Sequence, residues 1–289
     1  MGIGVKMSRL VYVNGEYLFE EKATVSIFDR GFLMADAVYE VTSVLDGKLL
    51  EFEGHLKRLK RSLSELDMPE PTEIDNLLDI HRKLVSDNNV DQGGVYLQVT
   101  RGVADRDFIY PKNVKPTLIM FTQSKDILGS ELVEKGMKVI SIADLRWGRR
   151  DIKTVQLLYP SMGKMMAKSA NCDDAWMVED GYITEGTSNN AYIVVDNKII
   201  TRELSNDILH GITRDSVLRY AEEAQMEIDE RPFSVEEVKS ADEAFITSAS
   251  TFVMPVVEMD GTSIGGGQPG GVSKRLREIY IEESRKKAI

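Results

Sequence analysis

The alternation of apolar and polar positions lays out the first half of the chain as strands joined by tight turns, with helices between them. RLVYVNGEYLF alternates about Asn14-Gly15, and VYEVTSVLDGKLLEF alternates about Asp46-Gly47. Such dipeptides mark two-residue hairpins, because both central residues must take positive φ. EGHLKRLKRSLSELDM places Leu56, Leu59, Leu63 and Leu66 at helical spacing, and PTEIDNLLDIHRKLVSDNN reads as a second helix. GGVYLQVTRG and KPTLIMFTQ read as strands. The pattern predicts an α+β unit with a largely antiparallel sheet.

The polar stretch 126–132, which contains Gly129, reads as a linker between a small domain over 1–125 and a larger α/β domain over 133–289. In the second part GMKVISIADLRW reads as a strand and KTVQLLYPSMGKMMAKSANC as a helix beginning at Lys153. Strands follow, with turns at Asp180-Gly181 and Asp196-Asn197. HGITRDSVLRYAEEAQM and GVSKRLREIYIEESRKK read as helices, and VEEVKSADEAFITSAS as a short helix then a strand. Met34, Met162, Met165 and Met166 read as core or interface fillers.

Composition narrows the function classes. A length of 289 residues suits two domains. The net charge of −11 argues against nucleic acid or an anionic membrane as partner. A single cysteine, Cys172, rules out an intrachain disulfide, and no Cys/His spacing suggests a metal site. No apolar run approaches the ~18 residues of a membrane span. MGIGVKMSRL lacks an apolar signal core, and Lys6 breaks the myristoylation pattern. A cytoplasmic location is expected, with Met7 as an alternative start.

Several stretches carry candidate chemistry. In RWGRRDIKTVQLL, three arginines precede Lys153 and an apolar run follows it. Lysine attacks only when neutral, and nearby cations and desolvation both favour the neutral form. The competing reading is a helix-start lysine beside a capping Asp151, its head in water. Glu185, in TEGTSNNAYIV, ends a strand; it is either an anchor for a heterocyclic nitrogen or a surface glutamate in a polar turn. The small polar residues after it, Thr187 to Asn189, are candidate phosphate donors. Gly211, Ile212 and Thr213 open a helix whose N–H groups suit an anion, or Thr213 is simply its cap. Thr247, Ser248 and Ser250 end a strand, and Arg58 is a candidate for bidentate phosphate contact. One lysine, one carboxylate, two anion-binding segments and an arginine are together the parts needed for pyridoxal 5′-phosphate.

The ordered set DRGFLMADAVYEV, GHLKRL, RWGRRDIKTVQLL, TEGTSNNAYIV, LHGITRDSV and FITSAS resembles the fold type IV pyridoxal-phosphate aminotransferases, and among them the D-amino-acid aminotransferases. The resemblance implies that Lys153 is the Schiff-base lysine and proton shuttle. It implies that Glu185 faces the pyridine nitrogen, and that Tyr39 is an active-site tyrosine near the lysine and the substrate. Arg58, Ser188, Ile212, Thr213, Ser248 and Ala249 match cofactor-binding positions, and Leu209 the residue packed on the ring. It also implies a cofactor between two domains, a homodimer, and transfer of an amino group from a D-amino acid such as D-alanine to a 2-keto acid. Alternatives are an (R)-selective amine transaminase, a branched-chain L-amino-acid aminotransferase, an aminodeoxychorismate lyase or a non-catalytic cofactor-binding relative.

Two positions depart from the family pattern. In VTRGVADRDFIYPKN, Arg106 fits the arginine that holds the substrate carboxylate, but Phe108 stands where a histidine is usual. Ala37 replaces a glycine in the turn before Tyr39.

Overall fold

A computed structural model describes residues 8–289; Met7 and the residues before it lie outside that range. The chain divides into two units. The first runs to Lys125 and is rejoined by Ile152–Val155 and Lys287–Ile289; the second comprises Asp126–Asp151 and Gln156–Lys286. Residues 126–132, read above as a linker, therefore open the second unit.

The first unit contains β1 (Leu10–Val13), β2 (Glu16–Phe19), α1 (Arg30–Met34), β3 (Ala37–Leu45), β4 (Lys48–Leu49), α2 (Phe52–Glu65), α3 (Leu77–Asp87), β5 (Gly93–Thr100) and β6 (Thr117–Ser124). The strands form one sheet in the order β2-β1-β6-β5-β3-β4, and each paired neighbour runs antiparallel. The hairpin turns follow from local chemistry. Asn14 and Gly15 have φ of 48° and 100°, and Asp46 and Gly47 have φ of 52° and 71°. Paired left-handed residues match the twist of the flanking strands.

One face of this sheet is covered by α2 and α3. Leu59, Leu63, Leu77, Ile80 and Leu84 pack with Val38, Val95, Leu97, Val99 and Met120. Burying each such side chain contributes roughly 1.5–3 kcal/mol. The opposite face carries a column of rings. Tyr39 stacks on Tyr96 at 5.5 Å, and Tyr96 stacks on Phe121 at 4.8 Å.

Residues 152–155 are not the start of a helix. They lie extended against β3, where Tyr39 N donates to Lys153 O at 3.0 Å and Val155 N donates to Ala37 O at 3.1 Å. Ile152 joins the core. The predicted helix begins only at Leu158, because the backbone groups before it are taken by this pairing. The left-handed residue of the turn before β3 is Ala35, at φ 54°. Ala37 is instead the buried first residue of the strand.

The second unit contains α4 (Leu132–Lys135), β7 (Met137–Ala143), α5 (Leu158–Ser169), β8 (Asp174–Glu179), β9 (Tyr182–Gly186), β10 (Asn190–Val195), β11 (Lys198–Thr201) and α6 (Ile212–Glu223). It continues with β12 (Glu227–Glu230), α7 (Val235–Ser240), β13 (Glu243–Ser248), β14 (Phe252–Met259), β15 (Thr262–Ser263) and α8 (Gly271–Lys287). The sheet order is β12-β11-β10-β13-β14-β7-β8-β9, with β15 beside β14. Pairing is mixed: β12–β11, β14–β7 and β7–β8 are parallel. Trp176, Ile193, Phe233, Ile246 and Met254 centre the core. Met162, Met165 and Met166 are not core residues: they lie exposed on α5.

Candidate active site

In the first unit, Lys153 stands beside Tyr39. Its Nζ lies 4.2 Å from the centroid of the Tyr39 ring. Among the described residues, no hydrogen bond or ion pair engages that Nζ, so the amine is open to a reaction partner. The backbone pairing of 152–155 with β3 fixes both residues on one piece of sheet.

Glu40 follows Tyr39 and points to the other face, where α2 supplies two partners. Arg58 donates from Nε to Glu40 Oε1 at 2.8 Å and from Nη2 to Oε2 at 2.7 Å. His55 Nδ1 meets Oε2 at 2.7 Å. Burial pushes the Glu40 carboxyl up, but the Arg58 charge and the Arg58 and His55 hydrogen bonds outweigh it and hold the group at about 2. Arg58, expected at the phosphate, thus gives one edge of its guanidinium to Glu40.

The loop after β5 is tied down by two other arginines. Arg30 donates from Nε to Asp36 at 2.7 Å and from Nη1 to Asp107 O at 2.6 Å. Arg101 donates to the same Asp36 oxygen at 2.7 Å and lies 3.5 Å from the Tyr110 ring. Arg106 is exposed, with its guanidinium 5.5 Å from the ring of Phe108, which is itself 77% exposed.

In the second unit, Glu185 on β9 is 3% exposed. Its Oε1 accepts from Arg146 Nη1 at 2.6 Å. Its Oε2 accepts from Asn190 Nδ2 and from Leu209 N, each at 3.1 Å. Burial pushes this carboxyl above its ordinary value against the pull of Arg146, and Asp144 adds to the rise. Arg146 turns its fork elsewhere: Nε and Nη2 donate to the two oxygens of Asp144 at 2.9 Å and 2.6 Å. Arg150 approaches Asp144 at 3.5 Å and forks onto Glu179 with two 2.8 Å bonds. Three carboxylates therefore share two guanidinium groups, leaving one anionic charge over.

This corrects the expectation that the three arginines before Lys153 serve to crowd it. Arg146 and Arg150 belong to the Glu185 network, and Arg149 forks onto the buried Asp151 at 3.0 Å and 3.1 Å. Asp151 is likewise not a helix cap.

Asn190 is a site residue that pattern reading missed. The same Nδ2 that reaches Glu185 donates to Leu209 O at 2.9 Å. Its Oδ1 lies where a Cβ on Gly211 would come within 2.1 Å, so a side chain at 211 would have to displace this carboxamide. One carboxamide thus ties together Glu185, Leu209 and the entry to α6. Asp174 performs a similar task for the preceding turn, accepting from Thr187 Oγ1 and Asn189 Nδ2 at 2.6 Å each. Ser188, between them, is exposed.

Gly211 caps α6 with extended backbone, followed by Ile212 and Thr213. Thr213 is buried, yet its hydroxyl has no partner among the described residues. A buried hydroxyl without a partner is costly, and an anion at the helix N-terminus would supply one. At the end of β13, Ser248 Oγ lies 2.7 Å from Thr251 Oγ1 and opens a turn through Ala249 and Ser250. Thr247 is buried, with its Oγ1 2.9 Å from Tyr192 OH.

Comparison with known proteins matches this architecture to one family. The model of the class IV aminotransferases matches residues 37–259. A D-alanine aminotransferase of Staphylococcus epidermidis is 40% identical over 276 residues, covering 94% of this chain and 98% of that protein. One from Bacillus licheniformis is 37% identical over 267 residues, covering 92% of this chain and 94% of the relative. Among solved structures, a branched-chain amino acid aminotransferase of T.th. with pyridoxamine 5′-phosphate superposes with a TM-score of 0.89 at 26% identity, over 97% of this chain and 95% of that one. The Escherichia coli branched-chain enzyme also gives 0.89, at 23% identity, covering 96% and 95% of the two chains, and speaks for the fold alone.

The chain belongs to the class IV aminotransferases. It is an aminotransferase that works with pyridoxal phosphate. The residues present suit that group: a buried carboxylate with an unbalanced negative charge, and a hydroxyl at a helix N-terminus that has no partner among the described residues.

Proposed function

We propose that this aminotransferase moves the amino group of a D-amino acid, D-alanine first among them, to a 2-keto acid. The near full-length similarity to D-alanine aminotransferases carries the reading. Lys153 Nζ takes the α-proton of the amino donor; that no ion pair engages it among the described residues supports that role. Tyr39 flanks the amine and shapes the substrate space.

Glu185 would hold the ring nitrogen of the cofactor, and Leu209 would pack on the ring. Ile212, Thr213, Ser248 and Ala249 would hold the phosphate, with Arg58 and Ser188 as further contacts. Bound there, pyridoxal phosphate supplies an electron sink for the carbanion formed at the donor's α-carbon. The excess negative charge around Glu185 favours a protonated ring nitrogen. Arg106 and Phe108 would face the substrate carboxylate. Exposed apolar side chains, among them Phe108, Ile109, Leu158 and Met165, support a homodimer.

The exposure of Arg106 favours a second activity, on (R)-amines that carry no carboxylate. The test offers D-alanine, L-leucine and (R)-1-phenylethylamine separately to the cofactor-loaded enzyme with a 2-keto acid. D-alanine should turn over fastest, and Lys153→Ala should turn over none of them. Preference for L-leucine would replace the D-amino-acid reading, and turnover by Lys153→Ala would remove the lysine from its role.

A further inference from the structure

Phe252 opens β14 directly after the turn that starts at Ser248, and its φ is 59°. A bulky side chain is rare in left-handed backbone, and glycine is the favoured residue where a short hairpin loop turns this way. The ring is fully buried, 5.1 Å from Tyr280 on α8.

Arg277, also on α8 and 6% exposed, explains how this backbone persists. Its Nη1 donates to Thr251 O at 2.7 Å and to Val253 O at 2.8 Å, the carbonyls on either side of Phe252. Its Nη2 donates to Ile127 O at 2.7 Å. Among the described residues no carboxylate pairs with this guanidinium, and burial pulls its pKa down. A buried cation without a counter-charge is costly to keep. Its contacts are spent on the backbone of one turn.

We propose that Arg277 is a positioning residue for anion binding: by gripping the carbonyls on both sides of Phe252, it holds the Ser248–Thr251 turn in its phosphate-binding shape before the ligand arrives. The inference rests on the assignment of Ser248 and Ala249 to the cofactor phosphate. It makes cofactor affinity depend on a helix that contributes no group to the chemistry.

The experiment measures dissociation constants of the cofactor-free enzyme for pyridoxal 5′-phosphate and for pyridoxal, which lacks the phosphate. Arg277→Met should weaken pyridoxal 5′-phosphate on the order of tenfold, the usual size when a supporting partner is lost. Its affinity for pyridoxal should not change, and Arg277→Lys should fall between. Equal weakening for both ligands, or none, overturns the role of Arg277. Thr213→Val and Ser248→Ala separate the two assignments. If they leave pyridoxal 5′-phosphate affinity unchanged, the phosphate assignment fails and the inference falls with it; if they weaken it while Arg277→Met does not, the inference alone fails. Should Arg277→Met not fold, amide exchange in the wild-type enzyme decides. Amides of residues 251–253 should exchange slowly without cofactor, and free exchange there overturns the proposal.

Discussion

Two buried glutamates, one in each unit, show how the same residue type is set to opposite tasks. Glu40 and Glu185 are 2% and 3% exposed, and each meets an arginine. Yet Glu40 is held down at about 2, while Glu185 is pushed above its ordinary value. The difference lies in where the guanidinium fork points. Arg58 gives its fork to Glu40, and His55 adds to it. Arg146 gives its fork to Asp144 and only the remaining nitrogen to Glu185, whose other oxygen has two longer, neutral donors. A bidentate pair is the stronger arrangement. Glu40 is therefore a finished ion pair that anchors α2 to β3, and Glu185 is an unfinished one, which on the proposed assignment a protonated ring nitrogen would complete.

Substitution should separate the two most sharply. Glu185→Gln should lower kcat by about 10²–10³, the usual loss when one charge-stabilising group is removed. It should cost only about 1 kcal/mol of stability, because Arg146 keeps its fork on Asp144. Steady-state rates and urea unfolding of the same variant check both halves. Glu40→Gln should do the reverse. Leaving Arg58 buried without its carboxylate should cost about 3–5 kcal/mol, read from the urea midpoint.

Acid should reveal the same asymmetry. The folded value of Glu40 lies below its ordinary 4.5, so its ionised form stabilises the fold above that pH, and the contribution is lost as pH falls from 4.5 through about 2. The urea midpoint of the wild type should drop across that window, and Glu40→Gln should flatten the drop. The smallest effect is expected from Asp144→Asn. Losing this carboxylate frees the Arg146 charge to act on Glu185 alone, so the Glu185 carboxyl should titrate lower, as followed by carbon-13 NMR of the cofactor-free enzyme. A rise would break the comparison.

What the sequence made legible was local. Asn14-Gly15, Asp46-Gly47, Asp180-Gly181 and Asp196-Asn197 all adopt the paired left-handed turn that their side chains predict, because two residues decide it. The helix over 271–287 follows from its own periodicity. The setting of Lys153 was not legible, since its extended backbone is dictated by β3, more than a hundred residues earlier. Three arginines in a row suggested a crowded lysine, but their partners Asp144, Asp151 and Glu179 were also in view and a pairing argument would have found them. Glu40 carried a signal too: a charged residue on the core side of a strand, between Val38 and Val44, must have a buried partner. Asn190 and Arg277 gave none, because their value lies in backbone atoms brought to them by the fold.

The return of residues 152–155 to the first unit has a consequence for inheritance. Lys153 is encoded within the stretch between two segments of the second unit, yet it pairs with a strand encoded more than a hundred codons upstream. A single genetic crossover between the codons of Lys125 and Ile152 would take Lys153 from one parent and Tyr39 from the other. Recombination between diverged relatives is therefore tolerated in that interval only where both parents spell the same fit between lysine segment and tyrosine strand.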